Sequence, residues 1–402
     1  MLAWNKGETI AIWGTGLWGK RLFYKYRVEY LVTCFIDNSP RSREFYGVPV
    51  VHAKELNKLN CKILIAVQEY GDICVQCEKE GKSFYEDYLP YFLFEYNQIP
   101  IIPLYDLAKD QIKKFFHIFL QGKKSVLIIG NCQTSKIKPS MMTSTQFDKE
   151  YIFVDIPMVH LLTEHDISVL KHCKFIFEES CLIITQYISS EAGKILGTQQ
   201  ILNMKGNQTS IIFIPTLWFD CYYPQSRHQY RKVDLGKGLA AFPYADSMVD
   251  ELINKYSVDK VIEIVKSPDL YSAAYLNDLY EQRITELSER EQRCDIKMLD
   301  FVIANWKTEL LFFSVNHPNN RVIFEETVRI LRFLGIEDFN SEKVDMTELD
   351  EFQELIYPSV QLNYGLIFQH DYYKDGSFHG KKTIDEYIRE YIRYIHPQKF
   401  KM

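Results

Sequence analysis

The 402-residue chain lacks several features that mark specialised classes of protein. It has no low-complexity tract and no uninterrupted apolar run near the roughly 18 residues that cross a bilayer. It also has no excess of basic charge, because its formal net charge is -6. Such a chain is not expected to bind nucleic acid or an anionic membrane surface. The sequence starts directly in a strand pattern rather than a secretion signal, so we expect a cytoplasmic protein.

Cysteine is sparse, and its distribution excludes a disulfide framework. The nine cysteines are odd in number and scattered, which predicts reduced thiols. The one CxxC, Cys74 to Cys77, lies in a helical stretch without a second pair, and His160 and His165 lack a third ligand at suitable spacing. The sequence therefore predicts no metal site.

What is present is enough apolar sequence for packed cores, with 47% hydrophobic and 25% charged residues. A chain of this length exceeds what one core usually organises. We predict an α/β fold with an N-terminal Rossmann-like parallel sheet and a larger, helix-rich α/β domain. The predicted boundaries are residues 1–103 for the first domain, 104–123 for a connector helix and 124–402 for the second domain.

The first domain carries a nucleotide-binding pattern. A strand at 9–13 runs into a GxGxxG turn, a helix at 20–30 and a second strand at 31–36, and a further strand is predicted at 62–67. Glycines in the turn allow close backbone approach to a phosphate, and the helix N-terminus attracts its charge. The alternative is a turn kept for helix-strand packing in a domain that has lost its ligand. The predicted binding residues are Gly14, Thr15, Gly16, Gly19 and Asp37.

Three segments of this domain resemble the N-terminal domain of bacterial sugar O- and N-acyltransferases, and similar units precede some sugar methyltransferases. The segments are Ile12 to Gly16, Cys34 to Asn38 and Tyr46 to Val50. The resemblance covers about the first ninety residues and implies a nucleotide sugar as ligand. No acid/base group is placed to face a nicotinamide, so no NAD-dependent reaction is expected.

The second domain begins with a strand at 124–129 that ends in Gly130-Asn131-Cys132-Gln133. A turn at the end of a strand lifts a side chain to the carboxyl edge of a sheet, where ligands gather. Free N–H groups there would stabilise the thiolate of Cys132, which is the reactive form. The same groups, with the amides of Asn131 and Gln133, could form an oxyanion hole.

A nucleophilic cysteine needs a base, and His317 is the best placed of the ten histidines. It follows a predicted strand at 310–315, lies in Asn316-His317-Pro318 and precedes a helix at 321–334. The alternative is that Cys132 is a small buried residue and His317 a loop residue that caps the helix. Gln186 could line the site, and Asp246 could orient His317 but more simply caps a helix. A long helix is predicted to start at Ser267-Pro268.

The second domain resembles the WcbI-type family of polysaccharide biosynthesis proteins, regarded as acetyltransferases of bacterial capsule assembly that bind coenzyme A. The resemblance spans roughly residues 124 to 335. It implies that Cys132 and His317 are catalytic, that Gly130, Asn131, Gln133 and Asn316 support them, and that coenzyme A or acetyl-coenzyme A is the cosubstrate. The matching segments are Val126 to Gln133, Ile214 to Phe219, Tyr222 to Pro224 and Phe313 to Pro318.

A basic stretch after Pro224 could contact the phosphates of coenzyme A, although a solvated loop fits it equally well. Its predicted contact residues are Arg227, His228 and Arg231, with Lys232 and Lys237 in the same stretch.

These observations predict an enzyme that transfers an acyl group from coenzyme A to a sugar hydroxyl in bacterial surface polysaccharide synthesis. Either Cys132 is acylated first, or His317 activates the hydroxyl directly. Two other functions fit the sequence, namely a thiol esterase acting on acylated glycans and a non-catalytic protein that binds a nucleotide sugar. The expected partners are a sugar or nucleotide-sugar substrate, and either a second copy of the chain or other glycan-assembly enzymes.

Overall fold

A computed structural model gives the positions of most of the chain. It describes residues 4–67, 70–84, 86–91, 99–100, 113, 116–117, 120, 122–189, 196–227, 242–340, 349, 352–368, 373–374 and 381–400. Within these ranges the chain forms two compact units, the first made of 1–129, 149–184 and 188–211, the second of 130–148, 185–187 and 212–402. The α/β class predicted from the sequence is confirmed. The predicted domain boundaries stay a prediction, and most of the connector helix at 104–123 lies outside the described residues.

A six-stranded sheet organises the N-terminal part of the first unit, with the strand order β3-β4-β2-β1-β5-β6. The β1 strand lies between β2 and β5 and is parallel to both, and its Ile10, Ala11 and Ile12 are fully buried. Burial on both faces explains why this segment is an unbroken apolar run. The elements are β1 Thr9–Trp13, α1 Leu17–Tyr26, β2 Leu31–Asp37, β3 Glu44–Phe45, β4 Val48–His52, a 3₁₀ helix Ala53–Lys58, β5 Lys62–Ile65, α2 Gly71–Lys79 and β6 Tyr88–Pro90.

A five-stranded sheet follows, with the order β11-β10-β8-β9-β7, and the pairs of β9 with β8 and with β7 are parallel. Its strands are β7 Ile99–Pro100, β8 Lys124–Ile129, β9 Tyr151–Asp155, β10 Leu182–Gln186 and β11 Ser210–Ile214. The strands predicted at 124–129 and 210–214 have these bounds in the structure. The helices between them are α3 Cys132–Met141, α4 Thr145–Glu150, α5 Glu164–His172, α6 Phe175–Glu179 and α7 Thr198–Met204.

The rest of the second unit is mostly helical. It contains two short strand pairs, β12 Ser226–Arg227 with β13 Ala245–Asp246, and β14 Phe312–Ser314 with β15 His317–Pro318. Its helices are α8 Ser247–Leu252, α9 Val258–Val265, α10 Ala273–Glu291, α11 Leu299–Asn305, α12 Asn320–Phe333, α13 Pro358–Tyr364 and α14 Ile384–Ile395, followed by a 3₁₀ helix Pro397–Phe400.

The predicted start of the long helix at Ser267-Pro268 is wrong. The α10 helix begins at Ala273, because the Ser272 side chain accepts a hydrogen bond from Tyr275 N at 3.2 Å and so caps the first turn. Ser267 instead accepts from Asp269 N at 3.3 Å within a preceding turn. On α10, Ala273 is exposed, while Leu276, Leu279 and Leu287 are buried and form its core face.

Cys74 and Cys77 lie on α2, as predicted, and both are buried. Burial raises the pKa of Cys77 to about 12 and that of Cys74 well above its ordinary value, so neither thiol has the reactivity of a redox pair. Among the described residues, no group of three or more histidine, cysteine or acidic side chains could hold a metal ion. The described helices include none with the length and apolar character needed to span a membrane.

Candidate active site

The cysteine turn, residues 130–133, connects β8 to α3. Asn131 is the N-cap of α3, and its Oδ1 accepts a hydrogen bond from Gln133 N at 2.9 Å. Cys132 is therefore the first residue of the helix, at the end where the peptide dipoles leave partial positive charge. It is half-buried. The side-chain amide of Asn131 keeps its Nδ2 free of hydrogen bonds to the described residues, so this donor can face a ligand.

Gly130 has no room for a side chain. A Cβ there would lie 2.4 Å from Thr134 Cγ2 and 2.7 Å from Gln186 Oε1. That Gln186 oxygen also accepts a hydrogen bond from Asn131 N at 2.9 Å, so the end of β10 supports the turn after β8. The carboxyl ends of these two strands thus meet at one edge of the sheet, where such turns usually carry function. The sequence correctly singled out Gln186 as a residue of this region.

Gln133 connects the cysteine turn to two other segments. Its Nε2 donates to Leu217 O at 2.7 Å and to Asn316 O at 2.8 Å, and its Oε1 accepts from Leu217 N at 3.2 Å and Gln186 Nε2 at 3.0 Å. The side chain is fully buried. Both Nε2 hydrogens are engaged, so this amide positions the surrounding backbone and does not supply the oxyanion hydrogen bond expected from the sequence.

The histidine turn, residues 315–318, consists of the two residues that connect β14 to β15 and of β15 itself. Its backbone is held from two sides, because Val315 N donates to Glu354 Oε1 at 3.1 Å and Phe219 N donates to Val315 O at 2.8 Å. Asn319 then caps α12 by accepting from Val322 N at 3.0 Å. His317 is half-buried and is the first residue of β15, so it lies within the strand pair and two residues before the N-cap of α12. The sequence predicted the strand before it and the helix after it, but not its own place in a returning strand.

The structure brings the two turns together. The hydrogen bond from Gln133 Nε2 to Asn316 O joins residues that are 183 positions apart in the chain. Helix α3, which begins at Cys132, also packs against β15, which begins at His317. The sequence could place each motif at a strand end, and the buried glutamine amide supplies the connection between them.

Tyr244 belongs to the same site and was missed by the sequence reasoning. Its hydroxyl donates to Asn316 Oδ1 at 2.6 Å. The pKa of this phenol is raised mainly by burial, and further by the neighbouring carboxyl of Glu354 and the thiol of Cys132, so the phenol stays protonated. The effect of the thiol means that Cys132 lies close enough to Tyr244 to interact with it electrostatically. Tyr244 follows a stretch without a clear pattern, so no sequence signal pointed to it.

Two buried carboxyl groups lie in the second unit, and one of them, Glu354, contacts the histidine turn through Val315 N. Burial raises the pKa of Glu354 to about 8 and that of Asp246 to about 7. Asp246 caps α8 by accepting from Val249 N at 2.9 Å, and Tyr357 OH lies 2.8 Å from both of its oxygens. Asp246 is thus the N-cap of α8, and its oxygens are hydrogen-bonded to Val249 N and Tyr357 OH.

The basic stretch is only partly described. Arg227 is exposed and its Nη1 donates to Pro224 O at 3.1 Å and to Ser226 O at 2.9 Å. None of the hydrogen bonds described here joins it to either turn. His228 and Arg231 lie outside the described residues.

The glycine turn of the first unit, residues 14–19, contains two glycines that the local packing requires and one with open space around it. Gly14 has a φ of +120°, and a Cβ at Gly19 would lie 1.9 Å from Gly14 O, so both are required by the turn itself. A Cβ at Gly16 would meet nothing within 4 Å. Only Gly16 therefore leaves the backbone open to a ligand.

Asp37 lies at the end of β2, beside this turn. Its carboxylate accepts from Thr15 Oγ1 at 2.6 Å and from Ser39 N at 2.8 Å. Each oxygen retains acceptor capacity for a ribose hydroxyl. Of the five residues predicted to bind a nucleotide, Gly14, Thr15 and Gly16 lie on the loop after β1. Gly19 lies in the first turn of α1 and Asp37 at the end of β2, all within the first unit.

The fold and the site together define an α/β protein with a cysteine at a strand-to-helix turn, linked by a buried glutamine to a histidine turn. A family model described as the polysaccharide biosynthesis enzyme WcbI matches residues 125–338, more than half of the chain. The chain belongs to this WcbI family. The resemblance of the second domain to the WcbI family, noted in the sequence, is therefore confirmed as family membership.

One solved WcbI structure aligns with a TM-score of 0.56 and 16% identity, covering 68% of this chain and 90% of that one. It is described as a novel polysaccharide biosynthesis enzyme, the native protein without a disulfide bond between coenzyme A and one of its cysteines. At this identity the likeness shows the fold. The precorrin-6A reductase CobK aligns with a TM-score of 0.14 and 12% identity over 52% of this chain and 88% of that one, which carries no argument. No curated protein matches the chain.

Proposed function

We propose that the chain transfers an acetyl group from coenzyme A to a sugar hydroxyl during synthesis of a bacterial surface polysaccharide. The observation that carries this proposal is the hydrogen bond between Gln133 Nε2 and Asn316 O, which links the turn of Cys132 to the turn of His317. The description of the solved WcbI structure, which names coenzyme A and a cysteine, supports coenzyme A as the donor and Cys132 as the residue beside its thiol.

In the first chemical step, the Cys132 thiolate attacks the thioester carbonyl, and collapse of the tetrahedral intermediate releases coenzyme A and leaves an S-acetyl cysteine. The sugar hydroxyl then attacks this new thioester while His317 takes its proton, and the Cys132 thiolate leaves. Asn131 Nδ2 and the N-terminal end of α3 stabilise the negative oxygen in both intermediates.

The alternative route uses the same residues without a covalent intermediate. His317 removes the proton from the sugar hydroxyl, which attacks acetyl-coenzyme A directly, and the cysteine turn only stabilises the oxyanion. The two routes differ in whether Cys132 carries the acetyl group, so variants of Cys132 and His317 distinguish them.

The first unit would bind a nucleotide sugar at Gly16 and Asp37, with Thr15, Gly14 and Gly19 shaping the turn. Arg227, and with it His228 and Arg231, would contact coenzyme A phosphates. The cytoplasmic location and the association with a second copy or with other glycan-assembly enzymes stay predictions of the sequence.

The direct test incubates the full chain with acetyl-coenzyme A, alone and with a panel of nucleotide sugars and methyl glycosides, and follows free thiol and acetylated product. We expect thiol release to depend on an acceptor and an acetylated sugar to form. Release that proceeds equally without any sugar would establish a hydrolase instead. Nucleotide-sugar binding without any release of thiol would establish a non-catalytic binding protein.

Alkylation provides an independent test of Cys132, provided that one other cysteine is removed. The pKa of Cys61 is lowered to about 7, because the Cys34 thiol donates a hydrogen bond to it, so Cys61 should also react readily. In a Cys61→Ser background, we expect Cys132 to be alkylated fastest by iodoacetamide and to be protected by coenzyme A. Equal labelling of Cys132 with and without coenzyme A would contradict the proposed donor site.

A further inference from the structure

A cavity of 370 Å³ opens in the second unit, a volume typical of small-molecule pockets. One side is formed where β10 and β11 end, by Tyr187 and Thr216, and the other by the last turns of α10 and the residues after it. The α10 end is fixed to β11, because Phe213 N donates to Asp295 Oδ2 at 2.8 Å and Asp295 N donates to Phe213 O at 2.9 Å. The cavity is thus built on anchored elements.

The charged side chains of the cavity are of two kinds: Arg290 and Glu286 bond within the protein, whereas Arg293 and Glu289 are available to a ligand. Arg290 belongs to the wall, since its Nη1 donates to Thr216 O at 3.1 Å and its Nη2 lies 3.4 Å from Glu286 Oε2. Arg293 and Glu289 make no side-chain hydrogen bond to any described residue. A guanidinium with five donors and a carboxylate with free acceptors are therefore available to a ligand.

An exposed aromatic ring completes the lining. Tyr187 has 46% of its surface exposed, and the Arg293 guanidinium lies 5.0 Å from its ring centroid. The Phe213 ring supports it from 6.5 Å. An amphipathic ring held in this way offers an apolar surface next to hydrogen-bonding groups.

The charges of the cavity indicate the class of ligand. Two arginines are balanced by two carboxylates, Glu286 and Glu289, so the lining has no net positive charge to attract a polyphosphate. Hydroxyl groups can donate to a carboxylate and accept from a guanidinium, and the C–H face of a sugar ring is apolar. This combination favours a neutral saccharide.

Two residues that line the cavity are sequence neighbours of residues that hydrogen-bond to the cysteine turn. Tyr187 follows Gln186, which bonds to Asn131 N and Gln133 Oε1. Thr216 precedes Leu217, whose backbone bonds to Gln133 through both its N–H and its C=O. Adjacent Cα atoms are only about 3.8 Å apart. A ligand in the cavity would therefore lie against the strand ends that hold the cysteine turn.

We propose that this cavity binds the saccharide acceptor, with the sugar ring against Tyr187 and its hydroxyls bonded to Glu289 and Arg293. The role of this ligand as an acceptor rests on the proposed acetyl transfer, but the test measures ligand binding and does not need turnover. Tyr187, Glu289 and Arg293 would then select the acceptor without taking part in the chemistry.

The test uses saturation-transfer NMR on the full chain, with methyl glycosides of glucose, galactose, mannose and N-acetylglucosamine at millimolar concentration, and separately with adenosine 3′,5′-bisphosphate. We expect at least one glycoside to bind, and Tyr187→Ala and Glu289→Gln to weaken it by about tenfold or more. Tyr256→Ala is the matched control, since Tyr256 is also 46% exposed but lies away from the cavity lining. It should leave binding unchanged, and so should Arg389→Gln on α14.

Three results would overturn the proposal. The first is that no glycoside binds the unmodified chain, and the second is that the cavity variants bind glycoside as well as the controls do. The third is that the cavity variants lose adenosine 3′,5′-bisphosphate and keep the glycoside, which would assign the cavity to the coenzyme. Cys132→Ala separates this inference from the proposed function. Glycoside binding should survive in that variant, whereas failure of acetyl transfer in the unmodified chain would count against the reaction alone.

Discussion

The glycine turn at 14–19 and the cysteine turn at 130–133 both follow a buried strand and begin a helix, yet they are built in opposite ways. The first has Gly16 as N-cap with no side-chain hydrogen bond and open space where a side chain would be. The second has Asn131 as N-cap and is enclosed by Thr134, Gln186 and the fully buried Gln133. A bare backbone suits phosphate binding, whereas a turn fixed by side chains can hold a reactive group in one position.

The largest expected effect comes from removing the amide that fixes the cysteine turn. Gln133→Leu leaves the backbone groups of Leu217 and the Asn316 carbonyl buried without partners, which should cost about 4 kcal/mol of unfolding free energy. Urea unfolding measures the change. The matched control is Gln199→Leu, because Gln199 is exposed on α7 and bonds only to Asn203. Similar stability of the two variants would show that the glutamine bonds are unimportant.

A pH effect is expected at the carboxyl group that holds the histidine turn. Glu354 has its pKa raised by burial from 4.5 to about 8, so the folded state holds a proton that the unfolded state releases. Stability from this group is complete below about pH 4.5 and is lost as pH rises through about 8. Asp246, raised to about 7, acts in the same direction.

Glu354→Gln should therefore be more stable than the unmodified chain by about 4 kcal/mol at pH 8 and nearly equal to it at pH 4.5. Since the glutamine Oε1 can still accept from Val315 N, acetyl transfer should persist. Denaturant unfolding at several pH values measures the difference. A constant difference across the pH range would mean that Glu354 does not titrate in this way.

A methyl group added to the glycine turn and to the cysteine turn should have different effects on stability. Gly130→Ala forces contacts at 2.4 and 2.7 Å with Thr134 and Gln186. We expect a loss of about 2 kcal/mol and displacement of Asn131. Gly16→Ala adds a Cβ that meets nothing within 4 Å and should change stability by less than about 0.5 kcal/mol. Thermal unfolding of the pair provides the comparison, and equal losses would contradict it.

The variant expected to disturb the fold least, Gly16→Val, should selectively lose nucleotide-sugar binding. Gly16→Val has space in the fold but would obstruct a phosphate on the backbone, so nucleotide-sugar binding should disappear while coenzyme A binding persists. Isothermal titration with UDP-linked and GDP-linked sugars measures this. Unchanged affinity would assign the turn to packing alone, and tight NADH binding would contradict the expected ligand class.

The sequence predicted those parts of the site that depend on local pattern. An apolar run that ends at Gly130 and another that ends at Asn316 were enough to place Cys132 and His317 at strand ends. The bond from Gln133 to Asn316, the position of Tyr244 and the carboxyl of Glu354 depend on contacts between distant segments, which no local periodicity encodes. The error at Ser267 arose because a serine before a proline is a common helix start, whereas the observed N-cap of α10 is Ser272.

The most direct test of the account measures acetyl transfer by Cys132→Ala, His317→Ala and the double variant. If the two side chains act as one unit, each single variant should lose most of the activity and the double variant should be little worse than either. Retained transfer in Cys132→Ala, with loss in His317→Ala, would replace the covalent route by direct activation of the hydroxyl. Near-normal transfer in both single variants would contradict the assignment of the site to the cysteine and histidine turns.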